Sequence, residues 1–133
     1  MDVRNMEKIL KGKEINNLDF SLFLNDEEFL RFIRYCKDYE QLNMIVRTKN
    51  NKVIAFALFE EDRYKEELYF RVIMVAQIYR RKGIGKKLVQ DIEKLGRKKK
   101  LKSIKIIPRD DYARHFFGNL GYKPEGFTWR KFL

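Results

Sequence analysis

The chain of 133 residues carries a net charge of +11, with 44% hydrophobic and 14% aromatic residues, a composition that argues against disorder and allows one domain with a core. Its single cysteine, Cys36, excludes an internal disulfide and a cysteine metal cluster, and its single histidine, His115, argues against a histidine-based zinc site. No apolar run reaches the length of a membrane span and no signal-peptide pattern opens the sequence, so we expect a soluble cytoplasmic protein. From the single cysteine and histidine we expect no metal.

The N-terminal part of the chain predicts one strand and one helix. Residues 3–6 are compatible with a first strand, and residues 25–28 have the capping side chains and early acids of a helix start. Phe29, Ile33 and Cys36 then form one apolar stripe of that helix. We interpret Cys36 as a core residue rather than a reactive thiol, because no histidine lies near it in the sequence to activate it.

A β-hairpin is predicted next. Residues 44–46 and 53–59 have the apolar character of strands, and Lys49-Asn50-Asn51-Lys52 between them is typical of a turn. Residues 60–67 are charged and predict a connection to the central strand, which begins at Leu68.

The central stretch switches from strand to helix through a basic loop. Apolar residues run continuously from Val72 to Ala76, which predicts a strand buried on both faces. After three cations at 80–82 come Gly83 and Gly85, and apolar residues then recur at helical intervals to about residue 96 or 99. The first N–H groups of a helix lack internal partners, and its dipole adds positive charge there, so the loop is a candidate pyrophosphate site. A tight strand-to-helix turn with a solvated basic loop is the alternative.

Two familiar phosphate motifs do not fit this loop. A dinucleotide fingerprint needs a third glycine where this chain has Leu88, and a P-loop needs Ser or Thr where it has Lys87.

The net positive charge lies entirely in one segment. Residues 80–109 contain thirteen Lys or Arg against two acids, a balance of +11, whereas the rest of the chain has seventeen residues of each sign. We therefore expect a polyanion to meet this segment, with coenzyme A phosphates and nucleic acid as the candidates. For residues 97–100 alone, a solvated basic helix end is the alternative.

The C-terminal third predicts a strand, a helix and a closing strand. Residues 103–107 form a strand that should run parallel to the central one, because the connection between them is long and helical. Asp110 or Asp111 caps the next helix, which Gly121 ends. Residues 127–133 alternate enough to form a closing strand, in which Trp129 is a packing residue.

Two of these segments together resemble the GNAT family of N-acetyltransferases. Arg80-x-x-Gly83-x-Gly85 resembles the acetyl-CoA motif of that family, and Ala113-Arg-His-Phe-Phe-Gly-Asn-Leu120-Gly121-Tyr122 resembles its A-x-x-x-Y-x-x-L-G-F/Y segment. The resemblance covers about residues 42–125. It implies an α/β fold with a GNAT-like mixed sheet, built around the strand–basic glycine loop–helix–strand unit, as one acetyl-CoA-binding domain over residues 1–133.

The implied activity is acetyl transfer from acetyl-CoA to a primary amine of a protein or small molecule. The family binds the pantetheine arm and acetyl oxygen through strand backbone and the pyrophosphate through the loop. An asparagine in the family contacts the pantetheine arm where this chain has Asp110, for which a plain helix cap is an equal alternative. The implied cofactor-binding residues are Ile73, Val75, Arg80, Arg81, Lys82, Gly83, Ile84, Gly85, Lys86, Asp110 and Phe117.

The acid and base side chains of the family are missing. Phe117 stands where many members have a tyrosine that protonates the thiolate, and Tyr69 and Lys105 stand where others have a carboxylate base. Tyr112 and Tyr122 are possible substitutes, and His115 is expected to be solvated. We therefore assign no catalytic residue.

Two alternatives to an acetyltransferase stay open. One is a CoA-binding module with little catalysis, because those three side chains are absent. The other is a basic nucleic-acid-binding protein, although no aromatic residue lies between Arg80 and Arg109 to stack on bases. No membrane partner is expected.

Overall fold

The structure, a computed structural model, describes residues 4–10, 18–31 and 43–133. Within these residues the chain forms a mixed α/β fold with a sheet in the order β1-β2-β3-β4-β5-β7-β6. The strands are β1 (Arg4–Leu10), β2 (Asn43–Lys49), β3 (Lys52–Asp62), β4 (Glu67–Val75), β5 (Ser103–Ile106), β6 (Lys123–Glu125) and β7 (Thr128–Phe132). The helices are α1, described over residues 27–31, α2 (Ile84–Lys98) and α3 (Asp111–Asn119).

The contacts divide the chain into two compact units. The first comprises the residues up to Leu58 together with Val72–Leu88, and the second comprises Phe59–Arg71 together with Val89–Leu133. Strands β3 and β4 and helix α2 contribute residues to both units. Within the described ranges, no helix is long and apolar enough to cross a membrane.

The first unit is built on the predicted hairpin. Asn50 and Asn51 have φ angles of 52° and 64°, the left-handed pair that a two-residue type I′ turn requires and that asparagine tolerates. The flanking strands are buried almost throughout. The aromatic rings of Phe20, Phe23 and Phe29 pack on Phe56 of β3, with centroid distances of 5.6, 5.3 and 6.0 Å. The hairpin prediction is confirmed.

Helix α1 starts where the sequence indicated. The Asp26 carboxylate accepts hydrogen bonds from the backbone N–H groups of Glu28 and Phe29, at 3.0 and 3.3 Å, which is N-terminal capping. Phe29 is buried, as its place on the predicted stripe requires. Ile33 and Cys36 lie outside the described residues.

The second unit contains the parallel pair that the sequence predicted. The first residues of β4 pair with β5 in parallel, from Glu67↔Ser103 to Phe70↔Ile106. Strand β7 then pairs antiparallel with β5 on one side and with β6 on the other. The predicted closing strand is confirmed, and the short strand β6 before it was not foreseen.

Two predictions along β3 and β4 are wrong. The charged residues 60–62 and Glu67 belong to strands rather than to a connection, and the three glutamates among them have cationic partners that allow this, such as Arg71 for Glu60. The apolar run at the end of β4 is not buried on both faces: Val72 and Met74 are buried, whereas Ile73 and Val75 are half-buried. One face of this strand therefore packs on the core and the other does not.

Candidate functional site

The end of β4 carries backbone groups that lack a strand partner. The pairing with β5 stops at Phe70↔Ile106, and residues 71–75 continue beyond it. The N–H of Ala76 donates to the carbonyl of Ile54 in β3, at 2.8 Å. Because the polar groups of successive residues in a strand point to opposite sides, those of Ile73 and Val75 point away from β3. The strand thus presents an open edge at the two residues expected to bind pantetheine.

The chain reaches α2 through a turn with two left-handed residues. Arg81 has a φ of 62° and Gly83 a φ of 78°, and the N–H of Lys87 donates to the Gly83 carbonyl at 3.0 Å as the first helical hydrogen bond. The N–H groups of Ile84, Gly85 and Lys86 therefore belong to the first turn of α2 and have no carbonyl within the helix. These donors and the helix dipole make the turn suited to an anion.

Gly83 is required here by backbone conformation and not by crowding. A Cβ on Gly83 would meet no heavy atom of the described residues within 4 Å. A φ of 78° nevertheless disfavours other residues, because a side chain in this region clashes with its own backbone. The space beside Gly83 is open, as a bound phosphate would need.

Arg80 is engaged with the protein rather than directed freely outward. Its Nε donates to the carbonyl of Val75 at 3.0 Å, and its guanidinium lies 3.8 Å from the carboxylate of Asp26. Its side chain remains about half exposed. Arg80 therefore links the end of β4 to the start of α1, which fixes the entry to the loop. A contact between Arg80 and a cofactor stays a prediction.

A lysine from the hairpin turn joins the basic loop. The Nζ atoms of Lys49 and Lys82 lie 5.4 and 5.6 Å from the centroid of the Tyr79 ring, within the range of cation–π attraction. The sequence predicted Lys82 as a site residue and missed Lys49. No local pattern in the sequence marks Lys49: its position follows from the strand order, in which β3 lies beside β4 and its first residues lie near the end of β4.

Asp110 and Phe117, the two candidates in the second unit, both have structural roles. The Asp110 side chain accepts a hydrogen bond from the N–H of Ala113 at 2.8 Å, so it caps α3. Phe117 is 1% exposed and packs on Phe70 and Tyr122, with centroid distances of 5.8 and 5.3 Å. Their contacts with a cofactor stay predictions.

The two alternative tyrosines have very different environments. Tyr122 is buried, and its hydroxyl donates to a carboxylate oxygen of Glu93 at 3.0 Å. Burial, and next the negative charge of Glu93, raise the pKa of Tyr122 above its usual range, which opposes release of its proton. Tyr112 is 79% exposed on α3, and His115 is exposed as predicted.

A buried carboxylate at the start of β4 was not foreseen. Glu67 is 3% exposed and accepts hydrogen bonds from the Ser103 hydroxyl at 2.7 Å and the Arg130 guanidinium at 2.6 Å, with Lys105 at 3.6 Å. Burial alone would raise the pKa of Glu67, but the hydrogen bonds from Arg130 and Ser103 outweigh it, and the pKa is lowered. Glu67 is thus held ionised by partners that leave it little capacity to accept another proton.

Tyr69 is flanked by two cations. The Arg71 guanidinium lies 4.3 Å from the centroid of its ring, and the Lys105 ammonium lies 4.9 Å from it. Tyr69 and Lys105, which stand where other members of the family have a carboxylate base, therefore form a cation–π pair instead. Among residues 4–10, 18–31 and 43–133, no three His, Cys, Asp or Glu side chains are grouped closely enough to hold a metal ion.

Solved structures that share this fold include acetyltransferases and a protein–DNA complex. PaiA N-acetyltransferase from Thermoplasma acidophilum, in complex with coenzyme A, is 15% identical with a TM-score of 0.71, and all of both chains is covered. The KacTA–DNA complex is 14% identical with a TM-score of 0.75, covering 94% of this chain and 92% of that one. Nourseothricin acetyltransferase is 14% identical with a TM-score of 0.63, and the alignment covers 69% of this chain. This chain therefore spans only 65% of the length of nourseothricin acetyltransferase.

At these identities the structural similarities establish the fold alone. Among curated proteins, none matches the sequence. The family model described as "Acetyltransferase (GNAT) family" matches residues 10–122.

Proposed function

Because this chain belongs to the acetyltransferase (GNAT) family, we propose that it transfers an acetyl group from acetyl-CoA to a primary amine. The amine belongs to a protein or to a small molecule, and the reaction takes place in the cytoplasm, where acetyl-CoA is available.

One observation supports this proposal above the others: an open strand edge leads directly into an anion site. Ile73 and Val75 lie beyond the last pair with β5, where the Val75 carbonyl is occupied by Arg80 Nε, and the chain then enters the turn whose N–H groups at residues 84–86 have no carbonyl partner within the helix. The pantetheine arm of CoA contains two amides and ends in a pyrophosphate. An extended ligand of this kind adds to a strand edge by main-chain hydrogen bonds, while its phosphates bind at the helix start.

The chemical step needs little from side chains. The neutral amine attacks the thioester carbonyl, the C–S bond breaks, and the amine proton is lost to solvent as the thiolate leaves. A backbone N–H on the open edge of β4 stabilises the negative charge on the carbonyl oxygen. A thiol has a pKa of roughly 8.5, so the thiolate leaves without an obligatory acid. Water then protonates it, since Phe117 has no proton to give and the Tyr122 hydroxyl is bonded to Glu93.

Proline substitution tests the role of the open edge. Proline removes one N–H, and it is tolerated in a strand only where that N–H is not part of the sheet. Ile73→Pro should therefore keep the fold and lose most CoA affinity, whereas Met74→Pro, whose N–H points toward β3, should unfold the protein. Ile73→Val is the control that changes only the side chain. Calorimetric titration with CoA and circular dichroism measure the two effects, and CoA binding by Ile73→Pro at the original affinity would contradict the proposed mode.

Turnover separates the enzyme from a CoA-binding module. Release of free thiol from acetyl-CoA should accelerate in the presence of some member of a panel of polyamines, aminoglycosides and lysine or α-amino peptides. Tight CoA binding without turnover on any amine would favour the binding module. This module is the second candidate because Phe117, at the position of the family's tyrosine acid, is a buried core residue without a proton to give.

The nucleic-acid alternative is weakened by ion pairs inside the second unit. Lys99 pairs with Glu61 and Lys102 with Glu66, so the chain neutralises part of its own basic segment. We expect no retention of duplex or single-stranded nucleic acid at low salt, and affinity that falls steeply with salt would reverse this conclusion.

A further inference from the structure

We propose that Lys49 and Lys82 bind the 3′-phosphate of CoA and so select CoA over 3′-dephospho-CoA. This inference rests on the proposed function, because it assigns one further part of the same cofactor to a pair of side chains in the first unit.

The two lysines are brought together by a single ring. Lys49 is the last residue of β2 and Lys82 lies in the loop before α2, yet both ammonium groups contact Tyr79, at 5.4 and 5.6 Å from its centroid. Tyr79 itself is half-buried and packs against the aromatic core that contains Phe20 and Phe56. The ring is therefore a fixed platform, and the cations on it come from two separate segments of the chain.

The described residues do not neutralise the charges of this pair. Within the described part of the chain, neither ammonium group has a carboxylate at ion-pair distance. Some other lysines in the described ranges do have such a partner: Lys99 pairs with Glu61, and Lys131 pairs with Glu93. Because both distances are measured to the same ring centroid, the two ammonium groups lie within about 11 Å of each other, and their flexible four-carbon stems allow them to converge on one ligand. The arrangement suits a compact anion with more than one negative charge.

The phosphate monoester of CoA has these properties. It carries about −1.5 to −2 charges near neutral pH, whereas each pyrophosphate phosphorus carries one negative charge. The pyrophosphate already has donors in the first N–H groups of α2. Ammonium groups act on phosphate as compact point charges, and only one ribose separates the 3′-phosphate from the pyrophosphate. Lys82 lies in the proposed pyrophosphate loop itself, so a 3′-phosphate one ribose away from the pyrophosphate would lie near the lysine pair.

The experiment compares two ligands that differ by this one group. Calorimetric titration measures the dissociation constants of CoA and 3′-dephospho-CoA for the full chain and its variants. The unmodified protein should bind CoA about tenfold more tightly than 3′-dephospho-CoA, since a hydrogen bond between charged groups contributes this order of affinity. Lys49→Met should reduce the preference to about twofold or less, by weakening CoA alone. Lys49→Arg should retain most of it.

The control is Lys52→Met, in the same hairpin. Lys52 is exposed, has the same charge and is not among the residues that contact Tyr79. It should leave the ratio of the two dissociation constants unchanged, which excludes a general loss of positive charge as the cause. Lys82→Met should lower the ratio as Lys49→Met does, although it also removes a loop residue, so Lys49 is the cleaner probe. Unchanged melting temperatures for the three methionine variants confirm that the fold is intact.

The outcomes separate this inference from the proposed function. If the unmodified protein binds CoA and 3′-dephospho-CoA equally tightly, acetyl-CoA binding stands and the 3′-phosphate assignment is wrong. If Lys49→Met weakens both ligands equally, the lysines act on the pyrophosphate and the assignment is again wrong. If neither ligand binds, the proposed function fails and this inference fails with it.

Discussion

Replacing Gly83 by aspartate and by asparagine tests the anion site with two side chains of the same shape. No heavy atom of the described residues lies within 4 Å of a Cβ at this position, so neither side chain should clash. Both variants must adopt a φ of 78° and should lose roughly 1 kcal/mol of stability, since asparagine and aspartate tolerate this region better than other residues. The fold should survive in both.

The two variants differ by one negative charge beside the phosphates. At about 5 Å in water, two unit charges interact with roughly 0.8 kcal/mol, and a pyrophosphate carries two charges, so the added carboxylate should cost about 1.7 kcal/mol. This corresponds to a Kd for CoA roughly 15-fold higher for Gly83→Asp than for Gly83→Asn. Titration calorimetry at low and at physiological salt measures it, and the gap should narrow as salt increases. Equal affinities of the two variants would refute an anion at this turn.

Three further predictions concern stability. Glu67→Gln should destabilise the fold at pH 7 by about 1–3 kcal/mol, because it removes the buried carboxylate that accepts from Arg130 and Ser103, while Arg130 keeps its pair with Glu125. The folded-state pKa of Glu67 is lowered, so its contribution is present above its ordinary pKa and is lost on acidification. In urea unfolding, the stability of the variant should therefore decline less than that of the unmodified protein below about pH 4.5. Phe117→Tyr should lower stability by about 1–3 kcal/mol through a buried hydroxyl and leave turnover unchanged, and faster turnover at full stability would place this side chain at the sulfur instead. Asn51→Gly should raise stability by a few tenths to about 1 kcal/mol because Asn-Gly suits a type I′ turn, and a lower melting temperature would contradict that turn type.

Local signals predicted much of the fold and of the loop. The pair Asn50-Asn51 between apolar runs gave the hairpin, and the change from a continuous apolar run to helical spacing after Gly83 gave the strand, loop and helix. Asp110 was predicted as a cap from its position before an apolar helical stripe. Each of these depends on neighbours within a few residues, which the sequence displays directly.

The parts that were missed depend on residues distant in the chain. Glu67 meets Ser103 and Arg130, separated from it by 36 and 63 positions, and no local pattern connects them. The contact of Lys49 with Tyr79 likewise needs the strand order. The half-buried state of Ile73 and Val75 was missed for another reason: an apolar run is the same in sequence whether one or both faces are covered.

One of the two edge strands of the sheet, β6, consists of Lys123, Pro124 and Glu125, all exposed. An edge strand is a template on which another chain can add, and this leads to aggregation. Proline offers no N–H for such pairing, a strand this short offers few hydrogen bonds, and the flanking charges resist a dehydrated contact. This edge therefore resists pairing with another chain without a cover over it, and Pro124→Val would be the change that opens it to edge-to-edge assembly.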